Sequence, residues 1–101
     1  MRRMMSGQNR GVVFKILLSQ KADGSDARVA GQIETTAPVE PGTSGYDPVL
    51  YRIDELKEDA TNRCIVVIEE QPDGPRAVQR LVFEEGEWRS KPPGQLPNIV
   101  E

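Results

Sequence analysis

Three kinds of side chain in this sequence have the right types for chemistry: one thiol, a set of adjacent carboxylates, and one oxygen-rich loop. The thiol is Cys64. A cysteine becomes a nucleophile when a neighbour holds it as thiolate, and its sequence neighbours are only Asn62 and Arg63. The chain has no histidine, which removes Ser-His-Asp and Cys-His dyads and every histidine metal ligand. Cys64 opens the apolar run of "RCIVVIEE", a position that reads as a buried structural thiol. The paired acids are Asp54-Glu55, Glu58-Asp59, Glu69-Glu70 and Glu84-Glu85. Acid–base catalysis needs two carboxyls in different environments facing one cleft. The first two pairs fit the solvated face of a helix, and the last two fit strand ends approaching turns. The loop Asp23-Gly24-Ser25-Asp26 offers oxygens to a hard cation but lacks calcium-loop spacing, and the same residues are what a hairpin turn requires. Neither phosphate-binding glycine motif occurs. The expectation is therefore no catalytic residue, no metal ligand and no cofactor.

Binding has better candidates. Arg2, Arg3 and Arg10 form a basic arm able to contact phosphate, and residues 1–28 carry a balance of +4 in a chain of net charge -3. Five aromatic residues do not make a stacking platform for nucleic acid, so that partner is not favoured. Trp88 follows a tight turn and precedes Arg89, which suits either a cap on the core or an exposed anchor. Leu96, Ile99 and Val100 give the Pro-rich end apolar points that could pack on its own sheet or in a partner's groove.

The elements that must position these residues follow from periodicity. Residues 1–10 are polar and read as a flexible arm. Residues 11–20, "GVVFKILLSQ", form a strand that is apolar on both faces, and a turn around Asp23-Gly24 leads to a half-exposed strand over about 27–35. The Pro- and Gly-rich stretch 37–45 is a surface connection. Asp47 is a suitable N-cap and Pro48 suits the first helical turn, so a helix is expected over 48–59, with Val49, Leu50, Ile53 and Leu56 inward. Residues 63–70 form a second strand apolar on both faces; strand four covers about 75–84 and strand five lies around Trp88. Residues 91–101 are an extended tail, leaving a single α+β domain over 11–90.

The order β-β-α-β-β-β predicts one sheet of order 2-1-3-4-5 with the helix on one face. A right-handed crossover laying strand three parallel to strand one would make the sheet mixed, in a β-grasp-like layout; a small antiparallel barrel is the alternative. Two central strands apolar on both faces need cover that one helix cannot supply. With the helix on one face, Val13, Leu17, Ile65 and Val67 are expected to form a patch on the other. The chain then reads as a non-catalytic protein-interaction module, self-associating through that patch. The alternatives are a nucleic-acid-binding accessory protein and, last, a carboxylate enzyme. No apolar run is long enough to span a membrane and no secretory signal is recognisable, so a cytoplasmic protein is expected.

Overall fold

The computed structural model describes residues 12–35, 42 and 44–96. Five strands and one helix follow one another: β1 (Val12–Ser19), β2 (Arg28–Thr35), a 3-10 turn (Ser44–Tyr46), α1 (Asp47–Lys57), β3 (Cys64–Gln71), β4 (Gly74–Glu84) and β5 (Glu87–Lys91). They form one open sheet in the order β2-β1-β3-β4-β5, so the strand order is that of the pattern and the barrel alternative is excluded. The arm residues Arg2, Arg3 and Arg10, together with Ile99 and Val100, lie outside the described residues.

The strand directions differ from the expectation in one respect. β3 runs antiparallel to β1, and every neighbouring pair in the sheet is antiparallel. A mixed, β-grasp-like sheet is therefore not formed. The crossover rule relates the two strands that a helix joins. Here those are β2 and β3, which do point the same way, with β1 lying between them and opposed to both.

Register then decides the faces. Residues directly opposite in an antiparallel pair share a face. Ile16 stands opposite Val67 and Leu18 opposite Ile65, whereas Leu17 stands opposite Val66 and Ser19 opposite Cys64. Ile65 and Val67 therefore join Phe14 and Ile16 beneath α1, together with Val49, Ile53 and Leu81. The expected patch of Val13, Leu17, Ile65 and Val67 is corrected accordingly: only Val13 and Leu17 belong to the face away from the helix. Its buried apolar cluster is Leu17, Ala27, Cys64, Val66, Ile68 and Val82, with Ala77 at the margin. The sheet thus carries two apolar clusters back to back, as the two-sided strands require.

α1 enters through a residue the hydrophobic stripe did not mark. Its N-cap is Tyr46, which makes no side-chain cap, and Asp47 is the first helical residue, where its charge suits the helix N-terminus. Tyr46 is fully buried, meets Phe14 edge-on at 5.3 Å and 89°, and donates its hydroxyl to Gln79 Oε1 on β4. Leu50, by contrast, is 38 % exposed. The helix ends at Lys57, where Asn62 Nδ2 donates to the Leu56 carbonyl at 2.8 Å beside a longer bond from the Asp59 N–H, while Asp59 accepts both the N–H and the hydroxyl of Thr61.

Candidate interaction face

The face turned away from α1 is built from alternate residues of all five strands. Its centre is the second apolar cluster. Around it stand charges: Lys15 paired with Glu70 at 3.1 Å, Glu84 with Lys91, and Arg80 on β4 opposite Val66. An apolar centre inside a polar rim is the anatomy of a protein interface.

In the single chain this centre is closed. Leu17, Cys64, Val66 and Ile68 are each no more than 3 % exposed. Among the described residues, two pieces of chain lie against the Cys64 end. One is the β1–β2 loop: buried Ser19 donates to the Ser25 carbonyl at 2.6 Å and accepts the Lys21 N–H, and Ala27 packs into the cluster. The positive φ angles of Gly24 and Asp26 give this loop its curl. The other piece is the stretch after β5, reached by Arg80. The guanidinium donates from Nε to the Pro93 carbonyl at 2.9 Å and from Nη2 to the Gln95 carbonyl at 2.8 Å. Its Nη1 lies 4.0 Å from Cys64 Sγ. Burial raises the Cys64 pKa, and the nearby Arg80 charge opposes that shift without reversing it. The thiol is therefore held neutral and inert at neutral pH.

The remaining sequence candidates fall in other places. Trp88 lies half-buried against the cluster under α1 and tilts onto Phe83 at 5.5 Å, so it serves as a margin of the core. Val13 is half-buried on the far face, opposite Glu34. Leu96 is 42 % exposed just beyond the carbonyls that Arg80 holds. Members of the carboxylate pairs meet cations or turn groups: Glu55 with Arg52, Glu85 with Arg89, the largely covered Glu69 with Arg76, and Asp59 with Thr61. In the loop, Asp23 bonds Ser25 through both the N–H and the hydroxyl, and Asp26 pairs with Lys21 at 2.7 Å. Both carboxylates are thus engaged within the turn, and no cluster of metal-ligating side chains forms among the described residues.

The outer edge of β2 is a lesser candidate. A groove of about 510 Å³ runs beside it, between Leu18, Lys21, Arg28 and Val29, and Val29 is 50 % exposed. The edge is blunted in two ways that discourage strand addition. β2 is bulged opposite Ile16 and Leu17, and Arg52 donates from α1 to the Ala30 carbonyl at 3.3 Å.

Sequence reasoning missed Arg80 and Tyr46. Arg80 has no motif, since its partners are backbone carbonyls thirteen and fifteen residues on. Tyr46 precedes the helix by one residue and falls off the periodic stripe. Comparison with family models, with curated proteins and with solved structures finds no match for the chain. Among the described residues no helix is long and apolar enough to cross a membrane.

Proposed function

We propose that this chain is a small non-catalytic interaction module that associates with a second copy of itself through the sheet face away from α1. One observation supports the reading above others: a second apolar cluster, Leu17, Cys64, Val66, Ile68 and Val82, lies on a face with no helix and inside a ring of charges. The centre is closed in the single chain, so pairing with a copy requires the chain that covers it to move aside; the apolar surface so opened is then taken from water by the copy, while the rim sets orientation.

The experiment is the oligomeric state by sedimentation, for wild type and Val13→Glu. Val13 sits at the rim rather than in either apolar cluster, and a carboxylate there would face Glu34. The expected result is a concentration-dependent dimer that Val13→Glu shifts to monomer at unchanged unfolding midpoint. A wild type that stays monomeric up to about 1 mM, the weak limit of useful association, overturns the reading.

A further inference from the structure

At the Cys64 end of the far face, Arg80 makes the hydrogen bonds to the stretch that follows β5, among the described residues. Residues 92–96 follow β5 outside the sheet, and Pro92 and Pro93 bring no N–H with which to join a ladder. Gly94 has φ +65, a conformation that favours glycine, and lies in the turn between the two carbonyls that face Arg80. The stretch buries little of its own: Pro92, Gly94, Gln95 and Leu96 are all exposed. No ion pair to a carboxylate is formed by Arg80 among the described residues, so its hydrogen bonds are to carbonyls that water can also satisfy. Among the described residues, the side-chain hydrogen bonds that hold this stretch come from one guanidinium.

We propose that residues 92–96 form a releasable strap, latched by Arg80 over the Cys64 end of the far face, and that its release opens this face to the second copy. The last step rests on the self-association reading; the latch itself does not.

Cys64 reports the opening, because it is the only thiol in the chain and is 1 % exposed beneath the guanidinium. The test measures the labelling rate of Cys64 in the full chain with an aromatic disulfide reagent, alongside urea unfolding. The variants are Arg80→Met, Arg80→Lys and Gly94→Val. Loss of two charge-assisted hydrogen bonds should speed labelling by about tenfold or more in Arg80→Met, with Arg80→Lys between it and wild type. Gly94→Val leaves the sheet untouched and should act in the same direction, since its φ is strained for any side chain. Labelling that rises only in proportion to lost global stability, or not at all, in both Arg80→Met and Gly94→Val overturns the strap. Sedimentation of the same variants separates the two ideas. Faster labelling with stronger association supports both. Faster labelling without association at any concentration keeps the strap and removes self-association. Unchanged labelling with persistent association removes the strap alone.

Discussion

Tyr46→Phe deletes one hydroxyl from a ring that is fully buried, and so isolates the contact that ties the entrance of α1 to β4. The ring still fills its place against Phe14, leaving only the hydrogen bond to Gln79 Oε1 to be lost. A net hydrogen bond contributes about 1 kcal/mol, and Gln79 is half-buried, so water can partly replace the lost donor. The expected loss is therefore about 1 kcal/mol, or roughly a 5 °C fall in Tm for a domain of this size. Tyr46→Ala adds a cavity among Phe14, Ile16 and Val49 and should cost about 3–5 kcal/mol, a large part of the 5–15 kcal/mol typical of a small domain. Urea unfolding followed by Trp88 fluorescence and far-UV ellipticity measures both, and a double-mutant cycle with Gln79→Ala isolates the pair. Alkaline pH supplies an independent check. Burial, and then the charge of Glu69, push the Tyr46 hydroxyl well above the usual phenol range. A raised folded-state pKa means that its contribution is complete below about pH 10, where the unfolded phenol titrates, and is lost as pH rises further. That alkaline loss should shrink in Tyr46→Phe. Equal stability of Tyr46→Phe and wild type, with zero coupling to Gln79 and the same alkaline limb, would refute the anchoring role.

Two further outcomes follow from the turns. Glu85 and Gly86 both have positive φ, at 55° and 83°, the pattern of a two-residue hairpin that prefers Asn-Gly. Glu85→Asn should raise stability by about 0.5 kcal/mol, since the relieved backbone strain outweighs the exposed ion pair to Arg89; a lower urea midpoint contradicts this. Asp59 and Asp23 are held below the usual carboxylate range by hydrogen bonds from Thr61 and Ser25, and Glu84 by Lys91. Lowered folded-state pKa values mean that their stabilisation is present above about pH 4 and is lost as pH falls below it. Asp59→Asn keeps the turn but should weaken the acid dependence of the unfolding midpoint, and an unchanged acid limb rules its carboxylate out as a contributor.

The local grammar of the chain was legible without coordinates. Asp-Gly and Glu-Gly mark three of the turns, the Val49–Ile53–Leu56 stripe marks α1, and the runs from Val12 and from Ile65 are apolar at consecutive positions, which announces two central strands covered on both sides. These are near-neighbour properties, set by φ preferences and by the period of side-chain direction, and they also led to the strand order β2-β1-β3-β4-β5. Helix limits were less sharp, because Asn62 and the Asp59–Thr61 turn end α1 at Lys57 through bonds that periodicity does not encode.

The pairing of faces belonged to the tertiary structure. Alternation divides β3 into two sets, Ile65 with Val67 and Cys64 with Val66, but it does not say which set lies with Phe14. That choice follows from the direction and register of β3 against β1, and a shift of one residue would exchange the sets. For the same reason Tyr46 became core and Arg80 became the latch: each meets groups many residues away, Gln79 in one case and the Pro93 and Gln95 carbonyls in the other. The sequence by itself determined that both sheet faces need cover; only the folded chain decided that α1 covers one of them and that the β1–β2 loop and Arg80, holding the Pro93 and Gln95 carbonyls, meet at the Cys64 end of the other.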